Sequence, residues 1–183
     1  LILWGNEIGP EGGKAIAEAL RFNAVLKKLV LLGNSIKDEG ALALGESLKA
    51  NKSLEELELM NCAIGAEGAK GLAAGLKEGM GVLTSLNLYQ NGLGPEGAKA
   101  IAEALSSGKG VLKDLNLAGN QLCGLDMFGG GTYDPSGIQA LASAVAVNGV
   151  LKKLDARYWL LGEEGNKALR EAVKGRDGFE LLL

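Results

Sequence analysis

Leucines at every second position open short segments along the chain, and each such segment leads into a longer one with apolar residues at helical spacing. The clearest copy runs from Leu86 to Asp114. Leu86 and Leu88 alternate with Asn87 and Tyr89, an asparagine follows at Asn91, and Leu93-Gly94-Pro95-Glu96-Gly97 leads into Ala98, Ile101, Ala102, Ala104 and Leu105. Val111 and Leu112 then introduce the next alternating segment. A period of two puts the leucines on one side of a short strand, and a period of 3.6 gathers the alanines and Ile101 on one face of a helix.

The pattern divides the chain into units 1–28, 29–56, 57–85, 86–114, 115–153 and 154–181, which open LILWGN, LVLLGN, LELMNC, LNLYQN, LNLAGN and LDARYW. A strand and a helix in under 30 residues cannot bury both apolar faces alone, whereas stacked copies bury them against one another. The predicted fold is therefore a single α/β domain over 1–183, a curved solenoid of about six repeats. Its parallel strands line the concave side, and the wider helices form the convex side. Glu11, Glu39, Glu67, Glu96 and Glu164 fall near helix starts, where negative charge suits the dipole. Pro10 and Pro95 fit a first helical turn, which does not use their missing N–H. The glycine after the acid (Gly12, Gly40, Gly68, Gly97, Gly137, Gly165) reads as a packing contact, since a side chain there would hold helix from strand.

The pattern LxLxxN-x-[IL]-G-x-E-G-A-x-x-[IL]-A-x-x-L resembles the ribonuclease-inhibitor type of leucine-rich repeat, also found in NOD-like receptors and Ran GTPase-activating proteins. The resemblance covers essentially the whole chain, including the alternation of 28- and 29-residue units. It implies a horseshoe that binds another protein. The position of its asparagine reads Asn6, Asn34, Cys62, Asn91, Asn120 and Trp159. A buried amide there would bond free backbone groups of the turn and tie units together. Cys62 reads as a small buried thiol, and Trp159 is expected to distort the last unit.

The fifth unit carries 11 extra residues, Cys123 to Tyr133, between the strand turn and the helix. They read as a loop grafted onto an intact repeat, dispensable for folding, with Met127, Phe128 and Tyr133 as candidate contacts. Gly129-Gly130-Gly131-Thr132 invites comparison with a phosphate loop, but neither GxxxxGK[ST] nor GxGxxG is present.

Composition narrows the chemistry. The chain has 183 residues, 47% hydrophobic and 22% charged, with a net charge of −3, so no electrostatic case exists for nucleic acid or an anionic membrane. No apolar run reaches the roughly 20 residues of a membrane span. Histidine is absent, which removes the commonest general base and metal ligand. No oxygen-rich metal loop occurs either, so a non-enzymatic chain without metal or cofactor is expected. Two distant cysteines suggest a reducing, intracellular setting, with the cytoplasm the expected compartment, rather than a disulfide framework. Leu1 opens a strand directly, and Phe179-Glu180-Leu181-Leu182-Leu183 repeats the spacing that introduces another, so the piece is expected to come from a longer array and to fray at its ends.

The strand residues between core leucines form two columns on the concave side. One is Ile2, Val30, Glu58, Asn87, Asn116 and Asp155; the other is Trp4, Leu32, Met60, Tyr89, Ala118 and Arg157. Apolar residues at Trp4, Leu32, Met60 and Tyr89 do not supply the core, and such patches mark protein contacts. The expected partner-binding residues are those four with Glu58, Asn87, Asn116, Asp155 and Arg157. The expected function is a scaffold or recognition module for an unidentified protein, either alone or as a subunit of a larger assembly. The alternative is a regulator of a small GTPase, acting on the partner's own catalytic residues. Lys14, Glu18, Arg21, Lys99, Glu103, Arg170 and Glu171 read as a solvated convex face.

Overall fold

A computed structural model describes residues 1–78, 82–126, 128–158 and 161–183. Helices and strands alternate: α1 (Pro10–Phe22), β1 (Lys28–Val30), α2 (Lys37–Ala50), β2 (Glu56–Glu58), α3 (Ala66–Glu78), β3 (Ser85–Asn87), α4 (Gly94–Ser106), β4 (Asp114–Asn116), α5 (Ser136–Val147), β5 (Lys153–Asp155), α6 (Gly162–Ala172) and β6 (Glu180–Leu182). The six strands form one sheet in sequence order, every neighbour parallel. Leu29, Leu57, Leu86, Leu115, Leu154 and Leu181 stand side by side in it. Ile2 pairs with Val30 in the same sense, so the first leucine segment extends the sheet. The chain is an α/β repeat solenoid with strands in one layer and helices in the other.

The alternating leucines are buried because they meet the helical stripes. Leu57, Leu59, Leu86, Leu88, Leu115 and Leu117 share one continuous core with Leu44, Leu72, Ile101 and Leu141. A Cβ on Gly40, Gly68 or Gly97 would lie 2.7–2.9 Å from Ile36, Ile64 or Leu93 of its own unit, so these glycines are packing contacts. The closest approach lies elsewhere. A Cβ on Gly45 would sit 2.1 Å from the Gly71 carbonyl oxygen, and one on Gly75 would sit 2.3 Å from that of Gly45. Helices α2 and α3 thus touch backbone to backbone.

The asparagine ladder joins neighbouring units, but in two alternating ways. Asn34 Nδ2 donates to the Leu3 carbonyl at 2.7 Å, and its Oδ1 accepts the N–H groups of Asn6 and Ile8 at 3.0 Å each. Asn91 repeats this with the Leu59 carbonyl and with the N–H groups of Cys62 and Ile64. The two amides converge because the residue between them, Glu7 or Ala63, is left-handed (φ 54° and 56°). In the units between, the left-handed residue is Lys37 or Gly94, and its amide goes to the Cys62 or Asn120 backbone carbonyl instead. The side chain at this place then needs to donate but not accept. Cys62 does so, its Sγ 3.2 Å from the Leu31 carbonyl, and burial pushes the thiol up to about 11. Asn120 donates to Leu88 at 2.7 Å, yet its buried Oδ1 has no partner among the described residues. Trp159 lies outside the described residues.

Helix starts are also served from neighbouring units. Asp38 Oδ1 accepts the N–H groups of Gly65 and Gly68 at 2.6 and 3.0 Å, capping α3 from the preceding helix. On the convex side, Lys14–Glu11, Lys70–Glu67 and Lys99–Glu96 are exposed pairs three residues apart, which water and salt screen strongly.

Candidate functional site

Each strand turns its odd positions to the concave face, and the backbone ladder continues past the strands to align the next residues. Gly5, Gly33, Asn61, Gln90 and Gly119 donate in turn to the carbonyls of Leu32, Met60, Tyr89, Ala118 and Arg157 at 2.9–3.0 Å. Trp4, Leu32, Met60 and Tyr89 therefore do form a row across adjacent units. Trp4 is 65% exposed, and Leu32, Met60 and Tyr89 are half-buried.

The row continues to a residue that the period-two pattern passes over. Tyr158 follows Arg157 at the position occupied by Gly5, Gly33, Asn61, Gln90 and Gly119 in the other units. All six are left-handed, with φ between 51° and 70°. Tyr158 adopts this conformation with a bulky side chain and is 61% exposed. Its ring meets that of Tyr89 edge to face, centroids 5.9 Å apart. The two rings come from units 4 and 6 and meet across unit 5, which offers only Ala118 and Gly119 at these positions, both buried. The register of left-handed turn positions is the sequence signal that marks Tyr158.

Arg157 lies over the Tyr158 ring, 5.2 Å from its centroid. Its Nε and Nη2 donate to the Asp155 carboxylate at 3.0 and 2.7 Å. Asp155 is only 4% exposed, which corrects its expected place as a surface contact. It holds the guanidinium from beneath, because a buried carboxylate requires a paired charge.

Elsewhere on the face, Lys28 donates to Glu56 and Glu58 at 2.8 and 2.6 Å, which raises its pKa, and Lys153 bonds Glu180 at 2.9 Å. Asp114 has no such partner among the described residues. Burial raises its pKa, Glu180 and Asp155 add to the shift, and Lys153 opposes it. Asn87 and Asn116 are half-buried between these charges and the tyrosines.

The described residues of the insertion include a hairpin contact. Leu125 pairs with Gly131 in antiparallel fashion, and Asp126 Oδ1 accepts the N–H groups of Phe128 and Gly130 at 2.8 Å each. A carboxylate thus occupies the place a phosphate would need, and the glycine run is no phosphate cradle. Phe128 projects at the tip, 88% exposed, while Met127 lies outside the described residues. Two ends of the expected loop belong to the body of the repeat. Cys123 is a core residue, its thiol pushed up by burial to about 11, and the Tyr133 hydroxyl lies 3.4 Å from the Leu161 carbonyl. The removable part is therefore shorter than the 123–133 span. Among the described residues, no group of His, Cys, Asp and Glu converges to hold a metal, and no helix is long and apolar enough to cross a membrane.

No curated protein matches the chain in sequence. A family model described as leucine-rich repeat matches residues 1–17, 22–45, 50–73 and 82–102. Among solved structures, a leiomodin-1 piece described as actin-binding site 2 superposes with a TM-score of 0.70 at 20% identity, covering 86% of this chain and 84% of that one. The C-terminal domain of a Caenorhabditis elegans tropomodulin gives 0.63 at 17% identity, over 90% and 91%. At such identities the likeness is one of fold, and it agrees with the repeat match and the sheet topology. The matched segments carry the leucine-rich-repeat pattern, and the fold is that of an α/β repeat solenoid.

Proposed function

We propose that this chain is a non-catalytic recognition module whose partner, itself a protein, docks on the concave face around Tyr89 and Tyr158. The observation that carries the reading is Tyr158. Left-handed backbone costs a residue with a Cβ about 1–2 kcal/mol, and the strain serves no buried packing, since the side chain is largely exposed. What it achieves is a rigid aromatic pair continuous with Leu32, Met60 and Trp4. Tyr and Trp bury large areas with few rotors, which favours them at binding hot spots.

The alternating turns, with cysteine standing where no acceptor is needed, support assignment to the ribonuclease-inhibitor type. The free, buried thiols of Cys62 and Cys123 suit a reducing, intracellular setting. The leiomodin piece is described as an actin-binding site, so actin is the first partner to assay. No observation favours the alternative of a GTPase regulator.

Affinity for actin, and for proteins captured and identified by pull-down, should be measured with Tyr89→Ala, Tyr158→Ala and Trp4→Ala. Each tyrosine change should cost about 2 kcal/mol of binding with little change in unfolding. Leu88→Ala should do the reverse, losing about 2–5 kcal/mol of stability through a cavity. Aromatic variants that bind as tightly as the parent would remove the concave face from consideration.

A further inference from the structure

A row of hydrogen-bond donors crosses the concave face, and nothing in the described chain uses it. Asn87, Asn116 and Asp155 stand in register on β3, β4 and β5. Asn87 Oδ1 accepts the Tyr89 N–H at 3.0 Å, and Asn116 Oδ1 accepts the Ala118 N–H at 2.9 Å. These bonds fix the orientation of each amide, because the reversed amide would set N–H against N–H. Each Nδ2 therefore turns away from the backbone, without an acceptor among the described residues. Asp155 repeats the motif with the Arg157 N–H and extends it by holding Nε and Nη2. The remaining fork of the guanidinium, Nη1 with the second Nη2 proton, is open among the described residues. With strands about 4.8 Å apart, the three donor groups span roughly 10 Å beside the Tyr89–Tyr158 pair.

Charge decides which acceptor fits. The face carries the carboxylates of Glu56, Glu58, Asp114, Asp155 and Glu180 against the cations Lys28, Lys153 and Arg157, each of which is already paired. An anionic group would meet excess negative charge there, whereas a neutral carbonyl would not. Backbone carbonyls are neutral acceptors that every protein offers, and extended segments leave them unpaired.

We propose that this row binds an extended segment of the partner protein through its backbone carbonyls, taken by Asn87 Nδ2, Asn116 Nδ2 and the open fork of Arg157. An apolar side chain of the segment rests on the Tyr89 and Tyr158 rings. The assignment depends on the concave-face reading above and names the form the partner takes there. Asp155 and Tyr158 act as positioning residues for Arg157.

Selection of random linear peptides displayed on phage against the whole chain supplies the probe. The tightest peptide is resynthesised with each amide bond replaced in turn by an ester, which weakens the carbonyl as an acceptor. One or two ester positions should weaken binding about tenfold. Asn116→Asp keeps the Oδ1 acceptor for Ala118 and removes the donors, so it should reproduce that loss; the new carboxylate opposite Asp155 also costs some stability, which a urea melt of the free variant measures separately from binding. The loss should persist in about 1 M salt, where charge repulsion is screened beyond about 3 Å. Peptides that need Tyr89 but tolerate Asn87→Asp, Asn116→Asp and every ester would overturn the donor-row assignment and leave the concave reading standing. Peptides indifferent to Tyr89→Ala and Asn116→Asp alike would overturn both, whereas self-association through this face, detected by sedimentation and lost in Tyr89→Ala, would make a second copy the occupant and overturn the extended-segment assignment alone. A library from which nothing is enriched overturns the assignment too, since the donors are open in the free chain.

Discussion

Asn91 and Asn120 occupy the same place in adjacent units, yet replacing each with cysteine should have very unequal consequences. Both donate through Nδ2 to the preceding unit, to Leu59 at 2.8 Å and to Leu88 at 2.7 Å. Cysteine retains one weak donor at this place, as Cys62 shows. The variants differ in what happens to the acceptor. Asn91→Cys removes the Oδ1 that takes the N–H groups of Cys62 and Ile64 at 3.0 Å each, leaving two buried donors unpaired. An orphaned buried donor costs about 1–3 kcal/mol, so this variant should lose about 2–6 kcal/mol. Asn120→Cys removes an Oδ1 that is already buried without a partner among the described residues. Relief of that penalty, again about 1–3 kcal/mol, offsets the weakened donor bonds, and stability should stay within about 1 kcal/mol of the parent. Because whole domains are stable by only about 5–15 kcal/mol, the contrast is large enough to read in urea melts of the two variants at equal protein concentration. Equal losses, or a greater loss for Asn120→Cys, would refute the alternation of turns as the reason cysteine is accommodated at position 62.

Gly45→Ala should cost about 3 kcal/mol or more, because the new methyl meets the Gly71 peptide group, which cannot turn aside as a side chain can. Calorimetry should show its melting temperature several degrees down, whereas Gly149→Ala, with nothing within 4 Å, should match the parent; equal melting of both would reject the backbone contact. Asp114 carries a raised pKa in the folded state, so it binds protons more readily there than in the unfolded chain, and its charge opposes folding above that pKa. Asp114→Asn should therefore be at least as stable as the parent at neutral pH. Any advantage should fade as the pH falls through the raised value towards the ordinary aspartate value of about 3.9, a trend that urea melts at a series of pH values would reverse if Asp114 were instead stabilised by a partner.

The solenoid was legible because each unit declares its own strand and helix: Leu86 and Leu88 alternate for one, and Ala98, Ile101 and Leu105 are spaced for the other. The same alternation sets Trp4, Leu32, Met60 and Tyr89 side by side, since outward positions follow once the buried ones are known. What escaped a reading by period depends on relations between units. Tyr158 lies at a turn position governed by backbone handedness, and its meaning comes from Tyr89 two units away and from the small Ala118 and Gly119 between them. Asp155 alternates like a surface residue and is buried because Arg157 folds over it. Asp38 caps a helix that begins 28 residues later, and Gly45 matters only through Gly71 and Gly75 of the next unit. Cys123 falls inside the inserted count but packs as core, because counting residues does not register burial. A repeat sequence thus states its unit plainly and its interfaces faintly. The proposed site belongs to the second kind: no unit alone holds a donor row or an aromatic pair, and both exist only where β3, β4 and β5 stand in register.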